Sequence, residues 1–427
     1  MLIRFEVENF RSIAEPVELS MVAVDKDRDS VVPVTLLGES LLKVAAIYGP
    51  NASGKSNVVA ALAWLLDAFP SSVNFWNDEI PCEPFAFGAR PAKPSRFTIE
   101  VTVDGVRFEY QVELNADRIL WEALYHYPNK LRRKIFERDG QQLSFQRGIE
   151  GYSGTKELLS LRSLVITIAP RFGDPLVTSF YDQIRSMSTY GIRHPAWSTS
   201  GGWRFVSPPR RTDTMAWFDD NPRQQSLLAD DDDTPVDRDK ALSLLRYADP
   251  GITDVLIDTE QIRLADSSTH GTRRRTRLLH QIGVAVSPLA FDDESEGTKN
   301  WFWLVGPVLE TIANGSLLVV DELNASLHPT LSATLIDLFE RADTNPNGAQ
   351  VLFTSHDTSL LNHLNRDEVW LTEKSDDGMT HIGALAEFAG QRVRKSVKLE
   401  AGYLSGRFGA LPQIDQAGFL RALGLIG

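Results

Sequence analysis

The sequence predicts an α/β fold in which the two ends of the chain form one parallel sheet and the middle of the chain forms an inserted lobe. Residues 42–48 are an apolar run of strand length, followed after a tight turn by the helical pattern of residues 57–66. Residues 316–320 and 350–354 are further apolar runs, typical of strands buried on both faces of a parallel sheet. Between them, residues 97–114 alternate apolar and polar side chains, which predicts antiparallel strands.

The composition is that of an ordinary globular protein. The chain has 427 residues, enough for two or three domains or one large domain with an insertion. Its 42% hydrophobic and 24% charged residues exclude a disordered chain, a collagen-like repeat and a membrane bundle. A net charge of −13 weakens the idea of a nucleic-acid footprint over the whole surface. Local nucleic-acid sites remain possible at four basic clusters, and the alternative is that these clusters are solvated surface. They are residues 130–134, 210–211, 273–277 and 392–398.

No membrane partner is expected. The closest approach to a spanning segment is residues 301–313, which is short and contains Glu310. The first ten residues carry charges and lack the apolar stretch of a signal peptide. We therefore expect a cytoplasmic protein, in which the single Cys82 is a small buried residue.

The turn after the first apolar run fits G-x-x-x-x-G-K-[ST] without a mismatch. Glycines at both ends let the backbone N–H groups curl inward, and the following helix adds its positive end, so that the loop binds a polyphosphate. Lys55 would reach the outer phosphates, and Ser56 would hold Mg²⁺. The predicted nucleotide-binding residues here are Gly49, Asn51, Ala52, Ser53, Gly54, Lys55, Ser56 and Asn57. The alternative is a glycine turn without a ligand.

The strand predicted at residues 316–320 ends in two acids, Asp321 and Glu322. Open α/β sheets bind ligands at the carboxyl ends of their strands. Asp321 is therefore the predicted second protein group of the Mg²⁺ shell, and Glu322 the group that orients or deprotonates a water. A coincidental acidic loop is the alternative.

The next apolar strand ends in Ser355, His356 and Asp357. A histidine at that strand end can hydrogen-bond a γ-phosphate or hold the attacking water. A lone histidine is more often structural. A catalytic role for His356 is predicted because it follows an apolar strand, as the phosphate loop and the Asp321–Glu322 pair also do.

Together these residues resemble the ABC-type ATPases related to RecF, SMC and Rad50, and within them the AAA15 or OLD-like branch associated with phage defence. FEVENFRS (residues 5–12) resembles the first strand of that group, and VDELNASLHP (residues 320–329) resembles its extended Walker B with D-loop. ESEGTK (residues 294–299) resembles its signature motif, which implies that Ser295 and Gly297 contact ATP held by a second subunit in a head-to-tail dimer. A simple helix cap is the alternative.

The tail narrows the resemblance. AGYLSGRFGALP (residues 401–412) looks like the ending of RloA-like ATPases, which are encoded beside a small nuclease-like partner. OLD nucleases carry a TOPRIM domain after the ATPase, but only about 55 residues follow the last predicted strand here. The resemblance thus implies a separate nuclease-like effector, of TOPRIM or RloB type, and a DNA or phage-protein trigger. A packing helix and turn is the alternative for the tail.

The middle of the chain is assigned as the inserted lobe. Asp104-Gly105 and Asp139-Gly140 predict two hairpins, and residues 160–193 read as helix, proline break and helix. Residues 253–265 and 276–286 read as strands, and no chemistry is assigned to residues 198–235. We divide the chain into residues 1–120 (first part of the ATPase domain), 121–285 (inserted lobe) and 286–427 (second part).

The sequence therefore predicts a P-loop NTPase of ABC type that binds ATP and Mg²⁺, hydrolyses ATP as a homodimer or higher homo-oligomer, and controls a nuclease-like effector in phage defence. Two rivals stay open. One is a RecF-like clamp on DNA in repair or recombination, and the other is a scaffold that binds nucleotide without hydrolysing it. The glutamine that commonly contacts the γ-phosphate in ABC proteins is not placed.

Overall fold

The structure is a computed structural model. It describes residues 1–146, 153–192, 198–199, 202–203, 214–218, 237–263, 270–325, 327–388 and 399–409. The acidic run 230–233, the basic residues 210–211 and 392–398, and the tail motif beyond residue 409 lie outside the described residues.

The strands are β1 (Leu2–Glu8), β2 (Val17–Ser20), β3 (Val31–Val34), β4 (Glu39–Leu42), β5 (Val44–Tyr48), β6 (Ser95–Val103), β7 (Val106–Leu114), β8 (Ile119–His126), β9 (Arg133–Asp139), β10 (Gln142–Phe145), β11 (Ser188–Tyr190), β12 (Ser198–Thr199), β13 (Gly202–Trp203), β14 (Ile252–Arg263), β15 (His270–Ile282), β16 (Ala285–Ala290), β17 (Leu317–Val320), β18 (Gln350–Thr354), β19 (Val369–Lys374) and β20 (Thr380–Ala384). The helices are α1 (Lys55–Phe75), α2 (Ser153–Leu158), α3 (Val165–Ile168), α4 (Pro175–Arg185), α5 (Arg238–Ala248), α6 (Glu296–Asn314), α7 (Pro329–Glu340), α8 (Leu385–Phe388) and α9 (Leu399–Leu404).

A six-stranded sheet in the order β11-β17-β18-β5-β19-β20 joins the two ends of the chain. The first five strands are parallel, and β20 pairs antiparallel with β19. All residues of β5, β17 and β18 are buried, since their alternate side chains enter two different cores. The predicted α/β fold is confirmed, and the strands that carry the predicted motifs lie side by side.

A seven-stranded antiparallel sheet in the order β10-β9-β8-β7-β6-β1-β2 faces one side of the parallel sheet. Its apolar side chains, including Phe97 and Tyr110, share a core with α1 and with Ala45 and Ile47 of β5. α1 therefore lies between the two sheets. Both predicted hairpins are present, as β6 with β7 and as β9 with β10.

α1 corrects one expectation about membrane segments. It has 21 residues and is the described helix that is long and apolar enough to cross a bilayer, whereas we had named residues 301–313 as the closest approach. Its apolar window is 78% buried in the protein, as expected for the central helix of a two-sheet fold. The apolar character of α1 follows from packing on both sides.

The other face of the parallel sheet is covered by α5, α6 and α7. β14, β15 and β16 form a separate three-stranded antiparallel sheet next to α5. β14 matches the strand predicted at residues 253–265, but β15 begins at His270, before the predicted start at residue 276, and contains the arginine run. The predicted strand continued to residue 286, past the turn at Gly283, so β16 was not recognised as a separate strand. All six residues of β16 are exposed. Because neither face of this strand is buried, its sequence lacks the alternation of apolar and polar residues by which a strand is recognised.

The boundary that we placed after residue 120 does not coincide with the end of the antiparallel sheet. Residue 120 lies inside β8, and the antiparallel sheet continues to β10. The division into three parts remains a proposal, with a first boundary that is more natural after residue 145. β11 was also missed, because the helix predicted after the proline break extends to residue 193, whereas α4 ends at Arg185 and a three-residue strand follows it.

Candidate functional site

The loop of residues 49–54 joins β5 to α1 and has a backbone that requires glycine at both ends. Gly49 and Gly54 have φ values of +154° and +103°, and Ala52 between them has φ +63°. A Cβ on Gly49 would collide with the carbonyl and hydroxyl oxygens of Thr372, and one on Gly54 would collide with the side chain of Thr380. The loop is therefore a closely packed cradle that only this glycine spacing permits.

Two threonines of the neighbouring hairpin hold this loop, and the sequence analysis missed both. The hydroxyl of Thr372 lies 2.6 Å from Ser53 Oγ and donates to the carbonyl of Tyr48 at 3.2 Å. Thr380 Oγ1 donates to the carbonyl of Ser53 at 2.9 Å. No recognisable motif marks them, since they act from β19 and β20, more than 300 residues along the chain.

Lys55 opens α1 and is 5% exposed. Its Nζ donates to the carbonyls of Gly49 at 2.9 Å and Pro50 at 3.0 Å, so the ammonium group lies inside the loop. Burial lowers the pKa of Lys55 to about 8. The negative charges of Glu322 and Asp321 raise this pKa, but by less than burial lowers it. A cation held at the N-terminus of a long helix is the arrangement that attracts an anionic ligand.

Asp321 follows β17 and is brought against the first turn of α1. Its Oδ1 accepts hydrogen bonds from Ser56 Oγ at 3.0 Å and from Thr354 Oγ1 at 2.7 Å. The same Thr354 hydroxyl accepts from the backbone N–H of Glu322 at 2.7 Å. Thr354 thus joins the two acids, although the sequence analysis gave it no role.

Glu322 has a left-handed backbone with φ +55°, which is unusual for a residue with a Cβ. Its bond to Thr354 holds this conformation, in which the exposed carboxyl group borders a cavity. Strained backbone of this kind is concentrated at functional sites.

The residues fit a nucleotide with Mg²⁺. Gly49 and Gly54 give the loop the positive-φ backbone that a phosphate-binding turn needs, and a hydroxyl and a carboxylate, on Ser56 and Asp321, are the oxygen ligands that Mg²⁺ prefers. Ser56, Asp321 and Glu322 also line a cavity of about 610 Å³, a volume within the range of small-molecule sites. Asn51 and Asn57 flank the cradle, and Asn57 Nδ2 donates to Ser12 Oγ at 2.6 Å.

His356 follows β18, the strand between those of Asp321 and Lys55. Its backbone N–H donates to Asn324 Oδ1 at 3.2 Å, and the same oxygen accepts from Ser355 Oγ at 2.9 Å. Its ring is exposed. Loss of solvation lowers the pKa of His356, and the charge of Lys55 lowers it further, so the imidazole is neutral at pH 7.

Ser295 and Gly297 lie at the start of α6 and do not line the cavity. Ser295 is the N-cap of the helix, where its Oγ accepts from the N–H of Thr298 at 3.1 Å. The cavity is instead bordered by Asn300 and Leu304 of the same helix. Within one chain, Ser295 and Gly297 are therefore not part of the cavity that Ser56, Asp321 and Glu322 line.

The strand next to β17 is β11, and it ends at the same cavity. The backbone carbonyl of Tyr190 accepts a hydrogen bond from the N–H of Asp321 at 2.9 Å. A Cβ on Gly191 would lie 2.7 Å from the carbonyl oxygen of Asp321. Tyr190, Gly191 and Ile192 therefore occupy this edge, and no glutamine lines the cavity among the described residues.

Solved structures of SMC heads resemble the chain. The SMC head domain from Thermotoga maritima has 13% identity and a TM-score of 0.39, and the SMC head bound to the C-winged helix domain of ScpA has 14% identity and a TM-score of 0.44. Each comparison covers 90% of this chain and 98% of the other.

No curated protein matches the chain significantly. The family described as "AAA domain, putative AbiEii toxin, Type IV TA system" matches residues 44–166 and 198–362, which is more than half of the chain and includes both the phosphate loop and the paired acids. The chain belongs to this family of AAA-domain proteins and has the α/β fold of a P-loop NTPase.

Proposed function

We propose that this protein is a Mg²⁺-dependent ATPase of the ABC type. One observation carries the proposal: Ser56 Oγ and Asp321 Oδ1, from residues 265 positions apart in sequence, are hydrogen-bonded at 3.0 Å beside Lys55 and Glu322. This pair of oxygens is what a magnesium ion bound to a nucleotide needs from the protein. The cradle and the buried lysine supply the complementary site for phosphates.

The site residues have distinct roles in this proposal. Lys55 neutralises charge on the outer phosphates, and Ser56 and Asp321 hold the metal, which polarises the phosphoryl group when bound. Glu322 orients a water and takes its proton as the water oxygen bonds to the γ-phosphorus and the bond to the leaving ADP oxygen breaks. His356, neutral at pH 7, donates a hydrogen bond to the γ-phosphate.

The active form in this proposal is a head-to-tail homodimer, or a higher homo-oligomer, in which Ser295 and Gly297 bind ATP held by a second copy. Ser295 is exposed at the start of a 19-residue helix and does not reach the cavity of its own chain, which supports a role in trans. A cytoplasmic location, a nuclease-like effector and a DNA or phage-protein trigger rest on the sequence resemblance, above all on the tail motif.

The variant Glu322→Gln tests the ATPase proposal. The carboxamide keeps the shape but cannot take a proton, so phosphate release should fall at least about 100-fold while ATP binding is retained. The closed dimer should accumulate with ATP, as measured by light scattering after gel filtration. Glu157→Gln, on the exposed surface of α2, is the matched control and should turn over like the wild type.

Fast phosphate release by Glu322→Gln would contradict this assignment. An absence of phosphate release from the wild type, with ATP bound, would instead favour the scaffold.

The RecF-like rival depends on basic surface, and two arginines of the cluster at residues 273–277 share one facing acid. Arg275 lies opposite Asp258 in the β14–β15 register, and Arg277 forms an ion pair with the same Asp258. We therefore expect weak DNA binding with a shallow salt dependence, measured by fluorescence anisotropy with and without ATP. A steep, ATP-dependent salt slope would favour the rival.

A further inference from the structure

The tail docks beside the candidate site. Leu399, Tyr403 and Phe408 are buried in the core that also contains Tyr48, at the end of β5. A Cβ on Gly402 would lie 2.5 Å from the ring of Phe408, so glycine lets the turn fold tightly onto α9. The tail motif thus includes side chains that pack against the strand leading into the phosphate loop.

Tyr403 contacts the residue that links the phosphate loop to the histidine strand. Its ring packs edge-on against the ring of Tyr48, with centroids 6.1 Å apart. Tyr48 immediately precedes Gly49, and its Oη donates to the carbonyl of Asp357 at 3.1 Å. The tail therefore supports a hydrogen bond made to the residue directly after His356.

Glu400 makes the second contact, on the turn that follows His356. Its carboxylate accepts from Asn362 Nδ2 at 2.7 Å and from Thr358 Oγ1 at 3.3 Å. Asp357 caps the start of this turn by accepting from the N–H of Ser359 at 2.9 Å. Glu400 thus bonds to the first and to the last turn of a short 3₁₀ helix, Thr358–His363, that begins two residues after His356.

We propose that Glu400 is a positioning residue for His356, so that the docked tail sets the geometry of the candidate site. This rests on the ATPase function proposed above. Upstream, His356 is held through Asn324. Downstream, the segment is restrained by the Asp357 N–H bond to Ser355 Oγ, by the buried Leu360 and Leu361, by the bond from Tyr48 and by Glu400. Removing the Glu400 carboxylate breaks the two bonds to Thr358 and Asn362, which loosens the polar side of the turn and lets the imidazole move away from the phosphate that it supports.

The test is a double-mutant cycle with steady-state ATPase kinetics. Glu400→Ala should lower kcat roughly three- to tenfold with little change in KM, while Glu400→Gln, which keeps an oxygen that accepts from Asn362, should recover most of the loss. In a His356→Ala background, Glu400→Ala should cause no further loss. Leu404→Ala, at a tail side chain that is 57% exposed, is the matched control and should match the wild type.

Three outcomes would overturn the proposal. The same fold loss in both backgrounds would mean that Glu400 acts through general packing and not through His356. Wild-type kinetics in Glu400→Ala would overturn this inference and leave the ATPase proposal intact. An inactive wild type would overturn the ATPase proposal, and the positioning role with it.

Discussion

Charged side chains are buried at both ends of the parallel strands, but they are satisfied in different ways. At the carboxyl end, the ammonium of Lys55 bonds to backbone carbonyls, and Asp321 bonds to hydroxyl groups. At the amino end, Arg28 forms ion pairs with Asp367 and Glu368, each at 2.7 Å. The charges at the carboxyl end are therefore left available to a ligand, whereas those at the amino end are bound to each other in ion pairs.

The amino end also contains a less well satisfied group. Lys43 precedes β5 and donates to the carbonyls of Glu340 at 2.8 Å and Asp29 at 3.1 Å. Glu340 Oε1 is buried without a hydrogen-bond partner among the described residues, and burial followed by the charge of Glu368 raises the pKa of Glu340 to about 7. Buried charge alone therefore does not mark a functional site. Charge that borders a cavity and is bonded to neutral groups does.

The two lysines that flank β5 give the largest expected contrast. Lys55→Met should lower kcat/KM for ATP at least about 100-fold, because the phosphate charge loses its buried cation. Lys43→Met should leave kcat/KM within about twofold and lower the free energy of unfolding by about 1–3 kcal/mol, because two carbonyls lose their donor. Phosphate-release kinetics and denaturant titration measure the two effects. Loss of ATPase activity in Lys43→Met would break the comparison.

The close packing of the phosphate loop predicts a second contrast, in ATP affinity, between alanine variants of two glycines that both have positive φ. Gly54→Ala should weaken ATP binding at least about tenfold, measured by calorimetry, because the new Cβ collides with Thr380 as well as straining the backbone. Gly140→Ala, at φ +55° with nothing within 4 Å of the new Cβ, isolates the strain and should cost about 1 kcal/mol of stability without changing ATP affinity. Equal ATP affinities in the two variants would show that the close packing of Gly54 is unimportant.

Thr354 tests whether the bonds to neutral groups at the carboxyl end of the strands position Asp321 and Glu322. Thr354→Val keeps the shape but removes the donor to Asp321 and the acceptor for the Glu322 N–H, so kcat should fall about tenfold and the Mg²⁺ concentration for half-maximal activity should rise. Thr354→Ser retains the hydroxyl and should stay near the wild type. A Mg²⁺ titration of phosphate release measures both variants, and identical curves for them would remove Thr354 from the site.

The smallest expected effect is a pH dependence of stability at the amino end. Glu340 has a folded pKa of about 7, above the ordinary 4.5, so the folded state binds more protons between these values and stability falls as pH rises through them. Glu340→Gln should therefore gain about 1–2 °C in Tm over the wild type at pH 8 and little at pH 5. Asp343→Asn is the control, since Arg341 lowers the pKa of Asp343 to about 2 and no titration falls in this window. A Tm difference for Glu340→Gln that does not change with pH would contradict the assignment.

The sequence predicted the parts of this fold that have a local pattern. The phosphate loop, the strand before Asp321 and the hairpin at Asp104-Gly105 have strong apolar periodicity or turn chemistry, and all three are present in the structure. β11 has three residues, two of them polar, and its place beside β17 depends on tertiary pairing. Thr354, Thr372 and Thr380 could not be identified because their partners are distant in sequence.

The neighbours of β5 also bear on how the chain is synthesised. β5 pairs with β18 and β19, which emerge from the ribosome about 300 residues later, roughly 15–60 seconds at ordinary elongation rates. During that time β5 lacks both of its neighbouring strands, and its residues Val44, Ala46 and Tyr48 lack the core that they share with the second half of the chain. The unpaired edges of β5 are therefore exposed to aggregation until the distal strands arrive.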